Sequence, residues 1–402
     1  MFLSNREIDT AIVLGVDRVK SALRRLGVRD IAKETVVVAG TNGKGSTCLY
    51  LESLLLSVGS KVFTYLSPHV YSFCERIRIN GKPICSYEFD ESYKSVGSLL
   101  GDLWNTLTPF EKFTVAALYI ASKIDFDVAI LEVGMGGRLD ATNVFDNRFS
   151  AVVSIGFDHA EYLGNTIEKI AYEKAGVIKN GSSVVIGEVG EKPKQVILEV
   201  ARERQAKVYS LGVDFDYKVT KVSSTAISFV YEGFASFMRE VSLKTFNPVF
   251  AHNASIAITL YRLLYDGSQV EHIDFTALSQ VVIPGRSEVV VKGNATIILD
   301  VAHNFHALSK LFTIVRQVFY DPIWFISPVE GKDWYKLLEL VGKSYKYFLI
   351  ENPERGLFKD KLRTYGEVID LDRAVDIALN SGVTSVFTGS FYIVREVRKK
   401  VV

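Results

Sequence analysis

The sequence predicts an α/β fold: a larger N-terminal domain with a mainly parallel sheet and a small antiparallel sheet, then a smaller α/β domain. Three observations predict it. Short apolar runs alternate with longer helical patterns along most of the chain, as in a parallel sheet covered by helices. A glycine-rich turn joins the first clear strand to a helix within residues 36–47. Pro284-Gly285 marks a turn or hinge, after which the alternation restarts. A chain of 402 residues exceeds what one core normally supports, so two domains are expected, 1–283 and 284–402.

The elements follow in order. Val36–Ala39 reads as a strand, Lys44 to Val58 as a helix and Lys61–Tyr65 as the next strand. Asp127–Val133 is apolar on both faces until Glu132, which suits a buried parallel strand. Ala151–Ile155, Ser183–Ile186 and Lys207–Tyr209 read as further strands. Between Phe215 and Leu243 the pattern alternates with no helix between, which predicts the small antiparallel sheet. Beyond the hinge come strand Ala295–Leu299, a helix from about His306, strand Ile323–Ser327 and a helix from Trp334. Strand Tyr347–Ile350, helix Ala374–Leu379, strand Ser385–Phe387 and a helix near Tyr392–Lys400 complete a Rossmann-like order. Neither an internal repeat nor a low-complexity segment is evident.

Composition excludes several classes. With 47 basic against 46 acidic side chains the net charge is +1, which leaves no electrostatic footprint for nucleic acid or a membrane surface. Cys48, Cys74 and Cys85 are too few and too irregular for a disulfide framework or a structural zinc site, and read as buried free thiols. The opening Met-Phe-Leu-Ser-Asn-Arg-Glu carries charge where a signal peptide needs an apolar core. No apolar run approaches the roughly 18 residues of a spanning helix. The expectation is a cytoplasmic monomer.

Chemistry concentrates first at Gly40-Thr41-Asn42-Gly43-Lys44-Gly45-Ser46-Thr47. Glycines let backbone N–H groups close on phosphate oxygens, and the helix N-terminus adds partial positive charge. Lys44 supplies a full charge, and a hydroxyl of Ser46 or Thr47 suits magnesium. The full P-loop spacing is not met, because a valine stands where its first glycine belongs. Glu132 closes a buried strand, where ligands bind in open parallel sheets and where an unpaired charge is costly. His159, after Asp158, is a second metal-ligand candidate, with a merely structural histidine as the alternative. Lys174 faces the side of an apolar stripe (Ile167, Ile170, Ala171, Ile178), and pattern alone favours a lysine snorkelling to water.

The string Gly40–Ser46 resembles the Mur ligase superfamily, and within it the folylpolyglutamate synthase/dihydrofolate synthase family. The same resemblance continues through Ser67-Pro68-His69, Glu75-Arg76-Ile77, Asn80-Gly81 and Phe110-Glu111. It runs on through Glu132–Asn143, Asp158-His159, Glu173–Lys179, Pro284-Gly285-Arg286, Asp300 with Ala302-His303-Asn304, and Gly389-Ser390. The Glu132–Asn143 string is its most specific part, for no general structural need dictates such a run.

The resemblance implies an ATP-dependent ligase joining L-glutamate to folate or dihydropteroate through an acyl phosphate, with two magnesium sites. It implies that Lys44, Lys174, His159 and Glu132 are catalytic. Magnesium ligands would be Ser46, Ser67, Glu132, His159 and a carbamylated Lys174. ATP would meet residues 40–47, Asn253, Arg286, Asp300 and His303, the last two across an interdomain cleft and Arg286 from the linker. His69 and Arg76 are candidates on the folate side. On the residues alone, Asp300 also reads as a helix cap and Asn253 as a helix-start residue.

Departures from the family pattern are local. Val249-Phe250 replace His-Gln upstream of Asn253, Phe305 replaces a proline and Ile283 a tryptophan. A Mur-type ligase for another acid and a non-catalytic nucleotide- or folate-binding relative are the competing readings. The second predicts loss of Lys44, Glu132, His159 or Lys174, and all four are present.

Overall fold

The computed structural model describes residues 13–234, 236–265, 275–330, 334–354 and 359–402. The opening charged segment discussed above lies outside them. Contacts divide the chain into two units. The first comprises residues 1–218, 229–241 and 250–281, and the second 219–228, 242–249 and 282–402.

The first unit holds an eight-stranded sheet. Its strands are β1 (Glu34–Ala39), β2 (Val62–Tyr65), β3 (Ile77–Ile79), β4 (Lys82–Pro83), β5 (Val128–Glu132), β6 (Phe149–Ser154), β7 (Ser183–Glu188) and β8 (Lys207–Ser210). They lie in the order β4-β3-β2-β5-β1-β6-β7-β8. β2, β5, β1, β6, β7 and β8 pair in parallel, and β3 and β4 are added antiparallel at one edge. The valines of β1 are buried between β5 and β6, which explains the absence of polar alternation there. Helices Ser86–Leu100 and Pro109–Ala121 add the aromatic part of the core, where the Phe89 and Phe113 rings lie 4.5 Å apart, tilted by 32°.

β3 and β4 pair as a hairpin that is not among the predicted elements. Its signal was present in Asn80-Gly81, both of positive φ (48° and 81°), as a two-residue hairpin turn of the type favoured by strand twist requires. Strands Glu288–Lys292 and Val368–Ile369 were not predicted either, and the ends of the predicted elements differ from expectation by a residue or a few, as fraying termini do.

β9 (Asp216–Val222), β10 (Ile227–Gly233) and β11 (Phe237–Leu243) form the small sheet, in the order β11-β10-β9. The line between the two units runs through it. β12 (Glu288–Lys292), β13 (Ala295–Leu299), β14 (Ile323–Ile326), β15 (Tyr347–Ile350), β16 (Val368–Ile369) and β17 (Ser385–Thr388) form the sheet of the second unit, in the order β12-β13-β17-β14-β15-β16. Only β12 is antiparallel to its neighbour. The last strand therefore inserts between the second and third, so the loops after β13 and β17 meet. There Gly389 N–H donates to the Ala302 carbonyl at 2.9 Å.

The three thiols are free, but only Cys48 is buried. Cys74 is half-buried and Cys85 exposed, which corrects the expectation for both. Among the described residues no helix is long and apolar enough to cross a membrane.

Candidate active site

β1 ends at Ala39, and the helix Lys44–Ser57 starts behind a turn in which Gly43 has φ 85°. A Cβ at Gly43 would stand 2.6 Å from Asn253 Oδ1, so no other residue fits there. The loop is fastened to the end of β6. Thr41 Oγ1 donates to the Gly156 carbonyl (3.1 Å) and accepts from Gly156 N–H (2.9 Å). Ser154 Oγ accepts from Asn42 N–H (2.9 Å) and donates to the Asn42 carbonyl (2.8 Å). Thr41 is thus occupied in holding the loop. Ser154, which positions it, carried no sequence signal beyond being a serine near a strand end.

Two lysines converge on one carbonyl. Lys44 Nζ and Lys174 Nζ each donate to Gly40 O at 3.0 Å. Lys174 is buried and does not snorkel. Burial first, and the Lys44 charge second, pull its amine down from 10.5 to about 7.

Glu132, the last residue of β5, is buried and accepts from Ser67 N–H at 2.9 Å. Its carboxylate also lies against Gly45, whose Cβ would come within 3.2 Å of Oε2. Ser67 Oγ and Thr47 Oγ1 are buried hydroxyls with no hydrogen-bond partner among the described residues. Ser46 Oγ accepts from Asn253 Nδ2 (2.8 Å) and donates to the Gly43 carbonyl (3.0 Å). Asn253 sits one turn inside the helix Val249–Leu264, so it is not a helix-start residue. Gly40, Ser46, Ser67, Lys44, Glu132, Lys174 and Asn253 are thereby linked around one loop.

Hydroxyl and carboxylate oxygens are hard donors that suit magnesium. An ammonium at Lys174 offers no lone pair, whereas its carbamate would. Among the described residues no group of three or more His, Cys, Asp or Glu side chains is placed to hold a metal.

His159 lies beside Asp158, whose charge acts on Lys174. It has φ 51° and precedes the short helix Ala160–Leu163, with a side chain 39% exposed and Nε2 3.8 Å from Asp158 Oδ2. His69 and Arg76 are both buried and bond to each other, Arg76 Nε donating to His69 Nδ1 at 3.0 Å. The Arg76 guanidinium also lies 5.6 Å from the centroid of the Phe113 ring.

The Glu132–Asn143 string does have a structural need, contrary to the sequence argument. Arg138 N–H donates to the Glu173 carbonyl at 2.7 Å, and its guanidinium pairs with the Glu173 carboxylate at 2.8 Å. A Cβ on Gly176 would lie 2.2 Å from Arg138 Cβ, so the loop and the helix Ile167–Ala175 meet only through glycine. Asp140 accepts from Met135 N–H, Thr142 N–H and Thr142 Oγ1. The string therefore locks the helix that carries Lys174.

In the second unit, Asp300 follows β13 and accepts from Ala302 N–H (2.8 Å), Ser287 N–H (2.7 Å) and Ser287 Oγ (3.0 Å). Burial raises its carboxyl from the ordinary value, against those hydrogen bonds and the nearby Arg286 charge. The cap of helix Phe305–Val318 is Asn304, not Asp300. His303 Nδ1 donates to the Val301 carbonyl (2.9 Å), which makes Nε2 the accepting nitrogen. Of the departures noted above, Phe250 packs edge-on to Tyr50 at 6.4 Å, and Ile283 is buried with its carbonyl accepting from Arg286 N–H.

The Mur ligase middle domain matches residues 38–260. The dihydrofolate synthase/folylpolyglutamate synthase of Escherichia coli K12 is 36% identical over 311 residues, 77% of this chain and 70% of that protein. This chain belongs to that family. The fold agrees over almost its whole length. Escherichia coli FolC in complex with DHPP and ADP superposes with a TM-score of 0.85 at 31% identity, covering 98% of this chain and 95% of that one. A bifunctional folylpolyglutamate synthase/dihydrofolate synthase with Mn, AMPPNP and L-glutamate bound has a TM-score of 0.83 at 31% identity, over 98% and 96%. Family membership makes the chain an ATP-dependent ligase.

Proposed function

We propose that this ligase joins L-glutamate both to dihydropteroate and to reduced folates, using ATP held on the Gly40–Thr47 loop. The observation that carries the site is the meeting of Lys44 and Lys174 on the Gly40 carbonyl. It draws two cationic side chains, one of them titrating near neutrality, to the mouth of a phosphate-binding turn.

A carboxylate oxygen is a poor leaving group, so the acid must first be activated. Its oxygen takes the γ-phosphoryl group, releasing ADP and leaving an acyl phosphate. The glutamate amine then displaces phosphate, forms the amide and loses a proton. Lys44 balances charge on the transferring group. Ser46, Ser67, Glu132, His159 and Lys174 would hold magnesium in two sites. When bound, magnesium neutralises phosphate charge.

The role of Lys174 requires modification. Its neutral amine adds to carbon dioxide, forms the N–C bond and releases one proton, leaving an anionic carbamate. An amine drawn down to about 7 is neutral often enough at physiological pH for this reaction. Asn253 orders Ser46. We also assign nucleotide contacts to Arg286, Asp300 and His303 of a domain starting at 284, and the folate side to His69 and Arg76.

Phosphate release by the purified chain with ATP and magnesium tests the proposal. Dihydropteroate and tetrahydrofolate are supplied separately, each with and without L-glutamate. Release with either acid, strictly dependent on glutamate, is expected. Release with one acid alone would reduce the enzyme to a single activity, and none with either would overturn the assignment.

A further inference from the structure

We infer that His252, on the helix Val249–Leu264, is a positioning residue that sets the orientation of the Ser46 hydroxyl through Asn253. The inference rests on reading the Gly40–Thr47 loop as the ATP–magnesium site. It needs no contact between His252 and either ligand.

Hydrogen-bond polarity carries the argument. Glu188 N–H donates to His252 Nε2 at 2.9 Å, and a backbone amide can only donate there. Nε2 is therefore the bare nitrogen and Nδ1 carries the proton. Nδ1 lies 3.1 Å from Asn253 Oδ1, so it donates to that oxygen and fixes which way the amide faces. The flipped amide would set N–H against N–H. With Oδ1 so engaged, Asn253 Nδ2 is the atom that reaches Ser46 Oγ, at 2.8 Å. Ser46 thus receives a proton from Asn253 and sends its own to the Gly43 carbonyl, at 3.0 Å. One lone pair of its oxygen remains for a cation. Every bond in the chain runs in one direction, from the end of β7 to the loop.

A second observation shows that the ring position is built in. Gly187, inside β7, faces His252. A Cβ there would lie 2.7 Å from Nε2 and 2.3 Å from the Val153 carbonyl. The strand gives up a side chain where the imidazole meets it. His252 is buried, and Tyr217 lies against it with ring centroids 6.1 Å apart.

The test measures how far magnesium strengthens binding of AMPPNP to the purified full chain, by calorimetric titration with and without magnesium chloride. His252→Phe removes both ring hydrogen bonds. His252→Asn keeps a donor near the Nδ1 position, and His252→Gln a polar atom near Nε2. We expect His252→Phe to lose about tenfold of the magnesium-dependent gain. His252→Asn should recover most of the gain and His252→Gln little. A folded His252→Phe with the full gain, or recovery by Gln and not by Asn, would overturn the inference. If His252→Phe does not fold, the Asn–Gln comparison decides alone. Imidazole 15N shifts of the metal-free protein should also show His252 protonated at Nδ1 only, and a proton on Nε2 would refute the chain. Wild type that binds no AMPPNP would instead sink the proposed function.

Discussion

Lys174 shows how a single residue's chemistry depends on where its neighbours end. Its Nζ shares the Gly40 carbonyl with Lys44, and burial makes the charged form costly. In the unmodified protein its folded pKa, about 7, lies below the ordinary 10.5. Between those values the unfolded chain holds a proton that the native state lacks. Stability from this residue therefore rises with pH across that window, by roughly 1 kcal/mol per unit. Lys174→Met should remove that slope. Urea midpoints at pH 7, 8 and 9 in buffer free of carbon dioxide would show it, and parallel profiles for the two proteins would refute the shift. The strand–turn–helix that holds Gly40, Lys44 and Ser46 was legible in the sequence because its glycines stand close together between an apolar run and a helical pattern. His252 and Ser154 were not, for each is engaged by a backbone N–H more than 60 residues away, that of Glu188 and that of Asn42.

At the scale of elements, Phe110-Glu111 illustrates a family string with a mechanical cause. Thr108 caps the helix Pro109–Ala121, and Glu111 closes the capping box by accepting from Thr108 N–H at 2.8 Å. The same buried carboxylate accepts Arg18 of the helix Asp17–Arg25 at 2.7 Å. One side chain thus joins two helices and ends one of them. Glu111→Ala should cost about 2 kcal/mol, and Thr108→Ala about 1 kcal/mol, by equilibrium denaturation. Equal costs for the two would mean that the Arg18 pair contributes nothing. The strands β1 and β5 were legible as unbroken apolar runs, whereas β3 and β4 were too short for periodicity to register. Only their turn residues betrayed them.

On the scale of the whole molecule, the second unit is discontinuous in sequence. Phe246 is fully buried in its core and packs edge-to-face on Phe319 at 5.1 Å. Asn247 Nδ2 donates to Ser287 Oγ at 2.9 Å. A fragment of residues 282–402 therefore lacks part of its own core. It should give a poorly dispersed NMR spectrum, and in the full chain Phe246→Ala should cost about 3–4 kcal/mol. A well-folded fragment would show that residues 242–249 are dispensable to it. The turn at Pro284-Gly285 was readable, but the segments that the second unit takes from before it were not. Turn chemistry is local, and core membership is not.

By itself the sequence determined the α/β class, the glycine-rich turn and the family, because strand runs, glycine spacing and charged residues at strand ends are properties of neighbouring positions. Tertiary structure alone decided that β1 lies between β5 and β6, and that Lys174 is buried rather than snorkelling. It also decided which way Asn253 and Ser46 face. Each of these depends on burial and hydrogen-bond direction between residues far apart in the chain, which no periodicity records.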